Sequence, residues 1–169
     1  MSTRWRGLGY SPPVPLDPAF VADCPYLPTG LLIDEILSID RDASTVVARM
    51  PTSAELPITR DQRVHPARHP RHVSGGLMIH MTGMIGFVHA YYVLELRHAD
   101  GWIGYGTHIH QARFRRMGKI GPPMTLACTA TSVRKIKGSI LARYTFRFEQ
   151  EGDLVYEGDQ SALWSRVTG

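Results

Sequence analysis

The sequence has little cysteine and none of the common cofactor motifs. Its 169 residues include two cysteines, Cys24 and Cys128, which are far apart and form no C-x-x-C pair. This usage argues against a disulfide framework or a cysteine-ligated metal, and it suits a reducing compartment. No G-x-G-x-x-G, Walker or G-x-S-x-G sequence occurs, so neither a nucleotide cofactor nor a serine nucleophile is indicated. We therefore expect no cofactor and no metal.

The chain also lacks an apolar leader, and one uncharged segment needs interpretation. The first residues, MSTRWRGLGYSPP, contain no apolar run, so we predict no secretory signal and expect a cytoplasmic protein. Residues 73–94 contain no Asp, Glu, Lys or Arg, which is long enough to cross a membrane. Four glycines, two histidines, a serine and a threonine dilute this segment. We therefore predict the buried helix of a globular protein and no membrane association.

The charge is modestly basic, with a formal net charge of +4. Two clusters carry much of it: Arg113, Arg115, Arg116 and Lys119, and then Arg134, Lys135 and Lys137. Neither cluster shows a nucleic-acid motif or interleaved aromatic residues, so we predict no nucleic-acid partner. An acidic protein partner and a simple solvated surface both remain open.

The order of predicted elements indicates one α+β domain. Residues 1–23 form a proline-rich arm, in which SPPVPLDP should be irregular or extended. Within a single domain of residues 24–169, GLLIDEILSID and STVVARM are interpreted as two strands, although the first could be a short helix. Residues 57–72 are predicted to be a loop. After the buried helix, four strand-like segments follow, WIGYGTHIHQARFRR, PPMTLACTATSVRKI, SILARYTFRF and LVYEGDQSALW. This pattern predicts an antiparallel sheet wrapped around one long apolar helix.

Four segments add a family resemblance to this reading. PTGLLIDEIL, the His65-Pro66 pair, SGGLMIH and ARFRRMGKIGPPM follow one another as related motifs do in the β-hydroxyacyl-ACP dehydratases of the FabA/FabZ type. The chain therefore resembles the hotdog fold superfamily. Two differences from the family stand out. His80 occupies the place of the family's helix carboxylate, and the interval from His65 to His80 is one residue longer than the family's usual interval from histidine to carboxylate. The resemblance implies a homodimer or an assembly of dimers, in which His65 of one chain faces His80 of the other.

Dehydration of a 3-hydroxyacyl thioester needs a base, an acid and a donor to the thioester oxygen. His65 is the candidate base, with His69 and His72 as alternatives. No Asp or Glu lies between residues 61 and 95, so a protonated His80 is the candidate acid. By the resemblance, the backbone N–H of Gly75, next to Gly76 at the helix start, would contact the carbonyl.

The helix face around His80 predicts an acyl channel. Leu77, Gly83, Met84 and Phe87 lie three, four and seven residues from His80 and share its face. A core histidine bonded to backbone is the plainer interpretation of His80. A metal site built on His65, His69 and His72 with His108 and His110 is disfavoured, because zinc sites usually add cysteine or carboxylate ligands.

The resemblance implies a dehydratase-like enzyme that acts on 3-hydroxyacyl thioesters in fatty acid or polyketide metabolism. The acyl carrier would be acyl carrier protein (acyl-ACP) or coenzyme A (acyl-CoA), and the basic clusters mildly favour the acidic carrier protein. One alternative is an acyl thioesterase in which a histidine activates water. The other is a non-catalytic binding protein for acyl or polyketide intermediates, which kept the channel and lost the acid.

Overall fold

Residues 14–167 of the chain are described by a computed structural model, and they form seven strands and three helices. The strands are β1 (Val14–Pro15), β2 (Glu35–Asp40), β3 (Thr45–Met50), β4 (Trp102–Phe114), β5 (Met124–Ile136), β6 (Ser139–Gln150) and β7 (Asp153–Arg166). The helices are α1 (Pro18–Asp23), α2 (Pro28–Leu31) and α3 (Gly75–Tyr92), and a single 3-10 turn spans His98–Asp100.

One antiparallel sheet contains all seven strands in the order β1-β2-β3-β5-β6-β7-β4. The strand that follows α3 in the chain, β4, therefore lies at one edge of the sheet rather than beside β3. Along β6 the apolar side chains are buried and alternate with the exposed Arg143, Thr145 and Arg147. This alternation directs one face of the sheet toward α3 and the other toward solvent.

Helix α3 fills the concave side of the sheet, as the uncharged segment predicts. Ser74 caps its first turn, because the Ser74 hydroxyl accepts a hydrogen bond from the N–H of Leu77 at 3.2 Å. Met81, Ile85 and Val88 are fully buried against the sheet. The α+β hotdog prediction, a sheet wrapped around one long apolar helix, is confirmed.

The start of the described chain is more ordered than its prolines suggest. After the two residues of β1, Asp17 caps α1 by accepting from the N–H of Ala19, and Phe20 enters the core against Tyr91, with ring centroids 5.2 Å apart. Both interpretations of GLLIDEILSID hold in part, since α2 precedes β2. The boundary predicted between residues 23 and 24 remains a prediction, and residues 1–13 of the arm lie outside the described residues.

Among residues 14–167, no helix is long and apolar enough to cross a membrane.

Candidate active site

An open groove of about 450 Å³ lies between α3 and the strands β4 and β7. Side chains are missing from its walls at Gly83 and Gly86 on the helix and at Gly106 on the strand. A β-carbon added to Gly83, Gly86 or Gly106 would meet nothing within 4 Å. These three positions therefore border empty space, into which a ligand can fit.

The groove has no charged wall. No Asp, Glu, Lys or Arg lines it within the described part of the chain, and its imidazoles belong to His80 and His108. Hydroxyl and amide groups come from residues such as Thr82, Gln160 and Ser161. Such a lining suits a neutral, mainly apolar ligand, and the two imidazoles are the side chains in it that can accept or donate a proton.

His80 is oriented by the backbone of α2. Its Nε2 lies 2.7 Å from the carbonyl oxygen of Gly30, and the Tyr26 ring packs edge-on against the imidazole at 5.5 Å between centroids. Because a carbonyl oxygen only accepts, Nε2 carries the proton in this bond. Nδ1 forms no hydrogen bond to residues 14–167, so the neutral imidazole keeps a free lone pair at that atom.

The structure brings four of the predicted site residues together. His80, Gly83, Met84 and Phe87 all line the groove. Leu77 does not, because at 2% exposure it packs inside the core. The predicted channel wall therefore begins at His80 rather than one turn earlier.

The two glycines at the start of α3 have different surroundings. Gly75 lies under the ring of Phe114, where an added β-carbon would come within 2.9 Å of the ring. Gly76 is exposed, four residues before His80 and on the same helix face. Backbone N–H groups in a first helical turn have no acceptor within the helix, so these two remain candidate donors to a ligand.

The candidate base His65 does not line the groove of its own chain. Its Nδ1 lies 3.0 Å from the backbone N–H of Arg68, and its Nε2 lies 3.1 Å from the guanidinium of the same residue. Backbone hydrogen bonds of 2.8 Å in both directions join His65 and His69, and Nδ1 of His72 lies 2.8 Å from the carbonyl of Pro70. The three loop histidines are thus held by local contacts. Any role at the groove requires a second chain.

The sequence interpretation missed the polar side of the groove, which comes from β7. The Thr82 hydroxyl lies 3.0 Å from Oε1 of Gln160, whose Nε2 donates to the Tyr156 hydroxyl at 3.3 Å. Ser161 and His110 of neighbouring strands form a 2.7 Å hydrogen bond. The alternation of β7 could have identified Gln160 as inward-facing. Its partner on α3 is 78 residues away in the chain and leaves no local signal.

The first basic cluster is largely neutralised by β7 and its preceding turn. Arg113 and Arg115 pair with Glu157, while Arg116 pairs with Asp153 and Lys119 with Glu151. The second cluster lies at the β5–β6 hairpin, where Arg134, Lys135 and Lys137 form no ion pair among the residues described. The β5–β6 hairpin therefore offers more unpaired positive charge for an acidic partner than the first basic cluster does.

Comparison with known proteins supports the fold. No protein-family model matches the sequence, and no curated protein matches it. Among solved structures, a mutant thioesterase from Pseudomonas aeruginosa matches with a TM-score of 0.58 and 15% identity, over 88% of this chain and 93% of that one. Zebra fish thioesterase superfamily member 2 matches with a TM-score of 0.57 and 19% identity, over 85% and 91%. The PaaI protein from the E. coli phenylacetic acid degradation operon matches with 0.53 and 17%, over 84% of each chain. At these identities the likeness is one of architecture, and it shows that this chain has the hotdog fold.

Proposed function

We propose that this protein hydrolyses acyl thioesters in the groove beside α3. The observation that carries the proposal is the placement of His80, with Nε2 donating to Gly30 and Nδ1 free, in an uncharged groove. The architecture it shares with proteins named as thioesterases supports hydrolysis over the dehydration that the sequence motifs favour. The thioesterase alternative thus becomes the leading hypothesis.

The chemistry follows from the groups at the groove. Nδ1 of His80 accepts a proton from water as the water oxygen bonds to the thioester carbonyl carbon. The oxygen that gains charge is stabilised by backbone N–H groups at the start of α3, of which Gly76 lies on the His80 face. The C–S bond then breaks, and His80 returns the proton to the leaving sulfur. The products are a carboxylic acid and a free thiol.

Dehydration remains the second candidate, because His80 and the first turn of α3 also provide a proton carrier and carbonyl donors. The two reactions give different products from one substrate. With crotonyl and longer enoyl thioesters, hydrolysis releases thiol, whereas hydration removes the conjugated enoyl absorbance without releasing thiol. Thiol release supports our proposal. Enoyl loss alone would replace it with the dehydratase, and no reaction in a folded protein would favour the non-catalytic binding protein.

We further propose that two copies pair through β4. Within residues 14–167, β4 forms strand hydrogen bonds to β7 alone, so its other edge is unpaired. Large apolar side chains are about half exposed along this strand, namely Tyr105, Ile109 and Phe114. An unpaired strand edge with apolar side chains favours addition of another strand. A second copy there would cover the open side of the groove and could bring its own His65 loop close to it.

Ile109→Lys tests this pairing. We expect a dimer of the wild-type protein at micromolar concentration and a monomer of the variant, because an inward-pointing charge on an edge strand opposes pairing. Analytical ultracentrifugation measures both states. Ile39→Lys is the matched control, since Ile39 is similarly exposed on β2, away from β4. A variant that stays dimeric, or a wild type that is monomeric, would contradict pairing through β4.

Gly83→Ala tests whether the groove is maintained for a ligand rather than for stability. Gly83 lies in the middle of α3, and an added methyl group meets open space. Because glycine is a poor helix residue, the substitution should increase the free energy of unfolding by about 0.5–1 kcal/mol. Urea unfolding measures this change. A less stable variant would show that the space beside Gly83 is smaller than the structure indicates.

A further inference from the structure

A second, smaller cavity of about 180 Å³ adjoins the groove. We call it the inner cavity, and it is lined by residues that include Phe20, Cys24, Ala90, Leu96 and Trp102. Four residues line both spaces: Tyr26, Phe87, Gly104 and Trp164. Three aromatic side chains, Tyr26, Phe87 and Trp164, therefore separate the groove from the inner cavity, together with the backbone at Gly104.

The partition between the two spaces is aromatic. Phe87 meets Trp164 edge-on, with centroids 5.6 Å apart at 84°, and lies 5.9 Å from Tyr26. Trp164 lies directly on the backbone of Gly104, where no β-carbon would fit. A rotation of the Phe87 side chain would join the two spaces, whereas the Trp164 ring is fixed by Gly104 and by its 3.3 Å hydrogen bond to Tyr144.

The inner cavity suits an apolar group about the size of a phenyl ring. In another protein an enclosed apolar cavity of about 150 Å³ holds one benzene molecule. The inner cavity has a similar volume and, like the groove, is partly open to solvent. Among residues 14–167, the one carboxylate in its lining is already engaged: Asp23 accepts hydrogen bonds from the backbone N–H groups of His98 and Ala99, at 2.8 and 2.7 Å. No charged group is thus left to demand a polar ligand at this end.

The distance from His80 to Phe87 along α3 sets the length of the acyl chain that the groove can hold. At about 1.5 Å per residue, Phe87 lies about 10 Å beyond His80, the length of about eight extended methylene groups. An acyl group with its carbonyl at His80 would fill the groove with about eight carbons. A longer chain, or a shorter chain whose terminal ring extends beyond that length, would have to pass Phe87.

We propose that the inner cavity binds the distal end of the substrate's acyl group. The substrates are then acyl thioesters with a chain of about ten to twelve carbons, or with a shorter chain that ends in a phenyl ring. The carbon count follows from the same helix rise of about 1.5 Å per residue. That the ligand is a thioester depends on the proposed function, whereas the inference of an apolar tail depends only on the inner cavity. Phe87 is then the residue that separates short from long substrates.

Cys24 gives a test that needs no catalysis. It is half-buried and lines the inner cavity, whereas Cys128, the other cysteine of the chain, is fully buried. We would follow the reaction of Cys24 with an aromatic disulfide reagent in the presence of butanoate, dodecanoate or 6-phenylhexanoate. The two long acids should slow the reaction about tenfold at saturation, and butanoate should not. Cys24→Ser supplies the background rate.

Ala90 on α3 and Ile103 on β4 both line the inner cavity, so Ala90→Leu and Ile103→Trp fill it from different sides. Each should abolish protection by the long acids and lower kcat/KM for dodecanoyl thioester about tenfold, with butanoyl thioester unchanged. Equal protection by butanoate, no protection by either long acid, or unchanged chain-length preference in a folded variant would overturn the proposal. If only dodecanoate protects Cys24, the tail is a straight chain; if only 6-phenylhexanoate protects it, the tail ends in a phenyl ring. Protection without turnover of any thioester would refute the hydrolase and leave the tail site standing.

Discussion

Replacing His80 with Ala should lower kcat/KM for thioester hydrolysis about a hundredfold, the effect expected of a positioned acid–base group. The variant loses the proton acceptor Nδ1 and also the hydrogen bond from Nε2 to Gly30. The lost hydrogen bond should cost about 1 kcal/mol of stability. His80→Gln separates the two effects, because the amide can still donate to the Gly30 carbonyl and has no basic nitrogen.

Both variants are measured in the thiol-release assay, together with urea unfolding. A catalytic His80 predicts that Gln restores stability without restoring kcat/KM. If Gln restores activity as well, His80 is a core histidine that holds α2 in place, and the base must be sought elsewhere. The same experiment with His65→Ala would show whether a second chain contributes, since His65 lies outside the groove of its own chain. His89→Gln is the matched control, because His89 is on α3 but about 180° away from His80.

Lowering the pH from 6.5 to 4 should destabilise the protein by about 3 kcal/mol through His89 alone. His89 is fully buried, and its Nε2 lies 3.0 Å from the carbonyl of Ser44. Burial lowers the pKa of His89 from 6.5 to about 4. Between these two pKa values the imidazole of His89 binds a proton in the unfolded chain but not in the folded chain, so the free energy of unfolding falls as the pH falls. At about 1.4 kcal/mol per pH unit, an interval of 2.5 units sets an upper limit of about 3.5 kcal/mol. About 3 kcal/mol of it is reached at pH 4, because half of the folded molecules are protonated at His89 by then.

The measurement is the difference in unfolding free energy between wild type and His89→Gln as a function of pH. Subtraction removes the contribution of carboxylates that titrate in the same range. The difference should change by about 3 kcal/mol between pH 7 and pH 4 and stay flat above pH 7. A difference that does not vary with pH would show that His89 accepts a proton inside the fold. Its Nδ1 has no hydrogen-bond partner among residues 14–167, so no acceptor in the described chain stabilises a proton at that atom.

The sequence predicts the fold through features that are local along the chain. The uncharged run of residues 73–94 defines α3 to within two residues at each end, because only a buried helix tolerates such a run in a globular protein. Alternation along residues 140–148 defines β6 and its buried face. What it does not define is the position of β4 at the sheet edge, since strand order is decided by contacts between distant segments.

The candidate site is predicted only on the helix side. His80, Gly83, Met84 and Phe87 follow from helical spacing, and the structure places them along one groove. Tyr26, Gln160 and Trp164 come from segments before α3 and far after it, so no spacing rule connects them to His80. Nor does the sequence choose the reaction: its motifs favour dehydration, whereas we propose hydrolysis. Both reactions use the same carbonyl and the same proton carrier.

The glycine-lined groove has a consequence for how this protein can change over time. Gly83, Gly86 and Gly106 each have room for a β-carbon, so a single mutation to alanine can reduce the space for a ligand while leaving the core intact. At Gly83 the first such step even increases helix propensity. Gly104 is different, because Trp164 leaves no room there. Substitutions at three sites can therefore change which ligands the groove accepts, whereas the aromatic end of the groove tolerates no side chain at Gly104.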